Sequence, residues 1–285
     1  MKTKTILAEL QEATNHSYAL GAFNIFNYLS ARAVIRGAQK LATPVILQTS
    51  VSTVKRFGPQ ELGTMLRQLA WNASVNVIVH LDHCTDIDLA KACCDAGWDS
   101  IMYDGSRLPL EENIKNCQEV VAYAHPRGIC VEGELGRIGG VEDNISVSDD
   151  DITGATIDES LKFVSESGID TFAPAIGTAH GQYKSSPHIN FALVAELNRL
   201  LKDTPIVVHG GTGLDENTFR KLIRNGGAKI NISTAIKHAY IDGCGDYLKE
   251  NPNIVDPISF DQYLNCRIED VAMDLMTIFR KDYLA

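Results

Sequence analysis

Three histidines stand where apolar runs give way to polar residues: His83 closes HLDH (80–83), His180 lies in AIGTAHG (175–181) and His209 in VVHGG (207–211). Three neutral imidazoles with an open fourth position form a known arrangement for catalytic zinc. Their wide separation matches no local zinc motif, so this reading requires a fold that gathers them. Taken singly, each has the alternative of a hydrogen-bonded structural histidine, the class that holds His16, His80, His125, His188 and His238. Asp82 directly precedes His83 and can act beside a metal as a general acid or base, or orient the neighbouring ligand. Asp104 and Glu134 bring two more carboxylates to the ends of such runs. They are candidates for hydrogen-bonding the histidines or for ligating a metal in a second position, with an ordinary salt bridge as the alternative. Cys84 is either a soft ligand or a small packed hydrophobe.

Two glycine-rich stretches suit an anion. GTAHG (177–181) and HGGTG (209–213) both let a backbone approach a ligand closely and turn N–H groups toward it. HGGTGLDENTFRKL continues into a helix expected to begin near Asp215, whose dipole adds to the attraction. Asn231, Ser233 and Thr234 follow at the end of the next apolar run. A third stretch, GRIGGVEDN (136–144), opens a connection reaching about residue 155; long connections in compact domains are usually functional or disordered, so it reads as a lid. Glu142 would be carried into the site by that lid, against the alternative of a solvated surface acid.

The elements that must position these groups are eight β-rich runs: YALGAFN (18–24), PVILQTS (44–50), VNVIVHLD (75–82), DSIMYDG (99–105), ICVEGEL (129–135), DTFAPAIG (170–177), TPIVVHG (204–210) and AKINIS (228–233). Between them lie segments with apolar residues three and four apart, such as 30–42, 59–72 and 109–124, which predict helices. Eight strand–helix units fill a closed (β/α)8 TIM barrel, a fold of about 250 residues with its active site at the C-terminal strand ends. An open doubly wound sheet is the alternative. The chain of 285 residues reads as one domain, 1–285, with residues 234–285 supplying extra C-terminal helices interrupted by NPNIVDP (251–257). Asn24, Ser50, Asp82, Asp104, Glu134, His209 and Asn231 all fall at run ends, which favours an enzyme over an inert barrel.

Composition narrows the class further. Hydrophobic residues make up 45% and charged residues 22%, as in an ordinary globular protein. A net charge of −10 argues against a nucleic-acid scaffold. No apolar run approaches the roughly 20 residues of a membrane helix. The opening MKTKTILAELQEATNH lacks the pattern of a secretory signal, and seven scattered cysteines suit reduced thiols, so a cytoplasmic location is expected.

Taken together, AFN (22–24), HLDH (80–83), ELGRIGGVEDN (134–144), AIGTAHGQY (175–183), VVHGGTGL (207–214) and KINISTAIK (229–237) resemble the class II, metal-dependent ketose-bisphosphate aldolases over essentially the whole chain. ELGRIGGVED with GTAHG looks closest to the tagatose-1,6-bisphosphate aldolases. The resemblance implies that His83, His180 and His209 bind Zn²⁺, that Asp82 moves the proton of the C4 hydroxyl, and that Glu142 shuttles a proton at dihydroxyacetone phosphate. It assigns Gly181, Lys184, Gly210, Gly211, Thr212, Asn231, Ser233 and Thr234 to binding that ketose phosphate, with a monovalent cation (Na⁺ or K⁺) nearby. Asn24 and Ser50 join the substrate set from their place at the run ends, and Lys237 aligns with a basic residue reaching the distal phosphate. Cleavage of the C3–C4 bond would give dihydroxyacetone phosphate and glyceraldehyde 3-phosphate, with Zn²⁺ acting as a Lewis acid. A class I mechanism would need a Schiff-base lysine such as Lys229, and would leave three placed histidines unexplained.

Departures from the family pattern concentrate on the aldehyde half of the substrate. Ser233 stands where many fructose-bisphosphate aldolases have Asp and tagatose-bisphosphate aldolases have Ala; Thr212 replaces Ser, Phe26 replaces His, and QTSVST (48–53) lacks the usual glycines. The readings carried forward are an aldolase for tagatose 1,6-bisphosphate, for its fructose epimer or for another phosphorylated ketose, and a non-catalytic barrel subunit that accompanies such an enzyme. A dead subunit need not retain the three histidines and Asp82, which this sequence has. A homodimer or homotetramer is expected, with an accessory subunit as a candidate partner.

Overall fold

In the computed structural model the described residues are 4–142, 145–147, 154–181 and 187–284, with backbone alone described at 140–142, 145–147 and 180. In chain order the elements are α1 (Ile6–His16), β1 (Leu20–Asn24), α2 (Tyr28–Lys40), β2 (Val45–Ser50), α3 (Val51–Phe57), α4 (Pro59–Trp71), β3 (Val77–Cys84), α5 (Ile87–Asp95), β4 (Ser100–Tyr103), α6 (Leu110–Ala124) and β5 (Cys130–Leu135). There follow β6 (Gly139–Glu142), β7 (Ile145–Val147), α7 (Ile157–Ser167), β8 (Thr171–Pro174), β9 (Ala179–His180), α8 (Phe191–Leu200), β10 (Ile206–Val208), α9 (Glu216–Arg224), β11 (Gly227–Ile232), α10 (Thr234–Glu250) and α11 (Pro257–Arg280). Eight strands close a parallel barrel in the order β1-β11-β10-β8-β5-β4-β3-β2. The doubly wound alternative is thereby excluded.

All eight expected runs form barrel strands. Strands covered on both faces read as continuous apolar runs, and β2, β3 and β11 are buried at every residue. Helix starts follow local chemistry. Asn27 and Ser30 form a reciprocal capping box on α2, Asp86 accepts from the N–H groups of Asp88 and Leu89, and Asp215 accepts from Thr218 at 2.8 Å. The helix anticipated near Asp215 therefore begins there. Pro59 and Pro257 each occupy a first helical position, where the missing N–H costs nothing.

Among the described residues two apolar cores result. The larger lies between the barrel and its helices and includes Phe23, Leu47, Val79, Ile101, Val131, Phe172, Val208 and Ile230. The smaller unites Ile6, Leu10 and Ala13 of α1 with Leu20, Ala22, Ile46, Ile78 and Ala228 from four barrel strands. So α1 plugs one end of the barrel, and the polar strand ends form the mouth at the other.

Three features depart from the expected layout. The N-terminal segment is a packed helix, and α3 intervenes between β2 and α4. The connection after β5 contains more than a loop: β6 pairs antiparallel with β7 and parallel with β9 in a three-stranded sheet. Residues 143, 144 and 148–153 of that lid lie outside the described residues. Among the described residues no helix is long and apolar enough to cross a membrane.

Candidate active site

Asp82 lies near the C-terminal end of β3, at the mouth, 1% exposed. Its carboxylate is gripped by amides from three neighbouring strands: Asn24 Nδ2 donates to Oδ2 at 2.8 Å, Gln48 Nε2 to the same oxygen at 3.3 Å, and Asn231 Nδ2 to Oδ1 at 3.1 Å. Gln48 also donates to Asn24 Oδ1 at 2.6 Å, which fixes the first amide.

The next residue, His83, has φ +46, the left-handed region that non-glycine residues rarely occupy. The strain coincides with a register shift between β3 and β4 at Leu81 to Cys84, and the His83 N–H donates to Met102 Sδ at 3.3 Å. Such strain persists where the surroundings over-determine it, typically at functional sites. Here it turns the ring so that Nδ1 donates to Asp104 Oδ2 at 2.9 Å while Nε2 faces His209 Nδ1, also at 2.9 Å. His209 in turn donates from Nε2 to Glu132 Oε1 at 3.0 Å and holds Nδ1 3.2 Å from Glu134 Oε2. Each ring is thus braced by a carboxylate on its outer nitrogen, and the inner nitrogens converge.

The electrostatics follow from this crowding. Burial raises the Asp104 carboxyl, but the His83 hydrogen bond and charge, with two bonds from Ser106, outweigh it and hold Asp104 well below the ordinary carboxylate range. For His209, burial and His83 push downward; Glu132 and Glu134 prevail and lift it to about 9. Burial opposes ionisation of Glu132 too, yet Lys229 and His209 hold it low. Burial raises the Cys84 thiol to about 11, and its Sγ donates to the Asp86 carbonyl, so it packs as a small neutral group.

Ligand atoms of Asp82, His83 and His209 lie within 4.8 Å of one another, as do those of His83, Asp104 and Glu134. Glu134 Oε2 is buried and, apart from the approach of His209 Nδ1, has no hydrogen-bond partner among the described residues. Converging imidazole nitrogens with an unsatisfied carboxylate oxygen beside them fit a divalent metal of zinc type. His180 arrives from another direction: its backbone pairs with Gly140, and a Cβ on Gly210 would lie 2.4 Å from the Ala179 carbonyl oxygen. Gly210, at φ +69, therefore lets β9 pack directly against the residue after His209. The His180 side chain lies outside the described residues.

Of the expected phosphate residues, Gly210, Gly211 and Thr212 follow β10, Asn231 lies near the end of β11, and Ser233 and Thr234 follow it. Gly211 donates its N–H to the Asn231 carbonyl, Thr212 Oγ1 accepts from the Ala235 N–H at 3.4 Å, and Thr234 opens α10. Ser233 precedes that helix without capping it, its Oγ buried and making no hydrogen bond among the described residues. Gly181, directly after β9, adopts φ +86, and Lys237 is half-buried on the first turn of α10. Ser50, in register with Asp82, lies 3.0 Å from Ser52 Oγ and 3.2 Å from Thr53 Oγ1. Phe26 packs edge-on against Tyr240. Glu142 belongs to β6 with only its backbone described, and Lys184 lies outside the described residues.

Four residues of this cluster were not singled out for the site from the sequence. Gln48 holds Asn24 and Asp82, and Glu132 holds His209. Lys229, weighed only as a Schiff-base candidate, donates to Glu132 Oε2 at 2.6 Å, and its Nζ lies 3.1 Å from Nε2 of His80. Each precedes a chosen residue by two, the spacing that returns to the same strand face.

A closed parallel barrel with imidazoles, carboxylates and an uncapped helix start gathered at its mouth is the build of a (β/α)8 enzyme. Residues 4–282 match the class-II fructose-bisphosphate aldolase family, and the chain belongs to that family. It is 38% identical over 251 residues to a fructose-bisphosphate aldolase of Geobacillus stearothermophilus, covering 87% of this chain and 86% of the relative. A 6-phospho-5-dehydro-2-deoxy-D-gluconate aldolase of Shouchella clausii is 36% identical over 253 residues, with coverages of 87% and 84%. A sulfofructosephosphate aldolase of Alkalicoccus urumqiensis is 34% identical over 244 residues, with coverages of 86% and 85%. Among solved structures, the YdjI aldolase from Escherichia coli K12 superposes with TM-score 0.85 at 30% identity, covering 97% of each chain. The protein is an aldolase, a carbon–carbon lyase.

Proposed function

We propose that this aldolase performs metal-dependent, reversible cleavage of a phosphorylated ketose, with Asp82 as the group that moves the hydroxyl proton. The observation that carries this reading is the Asp82 carboxylate, fixed by Asn24, Gln48 and Asn231 beside the converging nitrogens of His83 and His209. His83, His209 and His180 would hold Zn²⁺, which when bound supplies a Lewis acid for the substrate's carbonyl and hydroxyl oxygens. Asp82 takes the C4 hydroxyl proton as the C3–C4 bond breaks and returns it in the condensation direction. Asp104 braces His83, while Glu134, which reaches toward both imidazoles, is the better candidate for a second ligating position. Glu142 on the lid handles the proton at the ketose phosphate once the site is closed.

Gly181, Lys184, Gly210, Gly211, Thr212, Asn231, Ser233 and Thr234 would bind the phosphate half, where the uncapped start of α10 favours an anion and a Na⁺ or K⁺ ion assists. The relatives' names all specify a phosphate and differ elsewhere, naming a second phosphate, a gluconate or a sulfo group. That variation supports a common phosphate half and a variable aldehyde half, read here by Ser50, Ser233 and Lys237. The preferred substrate in this reading is tagatose 1,6-bisphosphate. Ser233 offers a neutral hydroxyl where an Asp would give a charged acceptor, and charged hydrogen bonds are roughly twice as strong. The exposed Ile241, Leu248, Val255 and Ile258 support assembly as a homodimer or homotetramer.

The test is kcat/KM across tagatose 1,6-bisphosphate, its fructose epimer and other phosphorylated ketoses, for the wild type and Ser233→Asp. The wild type should favour the tagatose epimer, the variant should move toward fructose, and chelation should abolish both activities. Tenfold wild-type preference for fructose would overturn the epimer assignment; activity insensitive to chelation would overturn the metal.

A further inference from the structure

One layer beneath the mouth, the barrel encloses a set of charged and polar groups that the proton transfer does not use. Glu132 on β5, Lys229 on β11 and His80 on β3 are all 0% exposed. Lys229 Nζ donates to Glu132 Oε2 at 2.6 Å and to His80 Nε2 at 3.1 Å, and His80 Nδ1 lies 2.9 Å from Ser100 Oγ. Thr171 Oγ1 stands 3.5 Å from the same Glu132 oxygen. The other oxygen, Oε1, accepts from His209 Nε2 at 3.0 Å. A charge survives such burial only when it is paired and its remaining hydrogen-bonding capacity is filled. Lys229 pairs Glu132, and His80 and Ser100 complete the far side of the chain, leaving Oε1 for the imidazole.

A ring nitrogen that donates cannot also ligate. With its Nε2–H committed to Glu132, His209 can offer a lone pair only from Nδ1, the atom that faces His83 Nε2 and Glu134. We propose that Glu132, held in place by its hydrogen bond from Lys229, is the positioning residue that fixes the ring and tautomer of His209 for metal binding. The inference rests on the metal reading above. It goes beyond it by naming the buried ion pair, outside the ligand set, on which the affinity depends.

Long-range ¹H–¹⁵N spectra of the zinc-loaded wild type should show His209 with metal on Nδ1 and a slowly exchanging proton on Nε2. The opposite tautomer overturns the proposal without any variant. Chelator competition should then find zinc bound 10- to 100-fold more weakly by Glu132→Gln, the usual loss when such a partner is removed. The visible spectrum of the cobalt-substituted variant should change as well. A merely structural ion pair would lower the melting temperature of the metal-free protein and leave zinc affinity and the cobalt spectrum untouched, which would also overturn the proposal. Should Glu132→Gln fail to fold, the wild-type spectrum still decides. A wild type that binds no zinc fails the metal reading itself, an outcome distinct from a wild type and Glu132→Gln that bind zinc equally.

Discussion

An aspartate held by three strand-borne amides has little freedom to swing, and this rigidity suits proton transfer at a fixed atom. Asp82→Ala should lower kcat by about 10² to 10⁴, the usual worth of a general acid or base, while metal content stays near normal. Initial rates combined with metal analysis check this; loss of zinc together with activity would make Asp82 an orienting group for the ligands instead. The residues most visible in the sequence were those at the ends of apolar runs, where a polar side chain interrupts the pattern abruptly. Gln48, Glu132 and His80 were harder to see because each sits inside a run and looks like an isolated exception. The two-residue step from His80 to Asp82, Glu132 to Glu134 and Lys229 to Asn231 is the signal that links them, since alternate residues share a strand face.

At the scale of elements, the barrel strands were legible because burial on both faces writes them as mostly apolar runs, interrupted by single polar residues on the inner face. The β6–β7–β9 sheet was not, because strands of two to four residues are too short to show a period, and β6 joins β9 only through a pairing distant in the chain, Gly140 to His180. That sheet delivers His180 to the mouth only if Gly210 stays bare. Gly210→Ala combines a strained φ of +69 with a clash against the Ala179 backbone. It should reduce kcat/KM at least tenfold. Gly128→Ala is the control, since Gly128 has φ +72 but open space around it. Strain of about 1–2 kcal/mol should lower its melting temperature while kcat/KM stays within twofold. Equal activity loss in both would remove the packing argument. On the same sheet, Glu142→Ala should slow deuterium exchange at dihydroxyacetone phosphate more than it weakens binding, and an unchanged exchange rate would return Glu142 to the solvated surface.

Across the whole molecule, stability and chemistry occupy opposite ends of one barrel. α1 stands outside the strand–helix alternation because it precedes the first barrel strand, although Ile6, Leu10 and Ala13 recur at helical spacing and are all buried. They close the floor with Leu20, Ala22, Ile46, Ile78 and Ala228, none of which carries a polar side chain. Above that floor come the His80–Lys229–Glu132 layer and then the mouth, so the apolar plug excludes water from beneath the buried charges. Barrels of this kind place catalysis at the C-terminal strand ends and stability at the other face. Leu10→Ala should therefore cost about 2–5 kcal/mol through the cavity it leaves in the plug. Because the site is built from strand ends on the far side of the polar layer, kcat/KM and zinc affinity should stay within twofold of wild type below the lowered melting temperature. Denaturant titration and steady-state kinetics on the same preparation test the separation. A variant that keeps its stability but loses zinc affinity would show that the plug and the mouth are coupled through the buried ion pair.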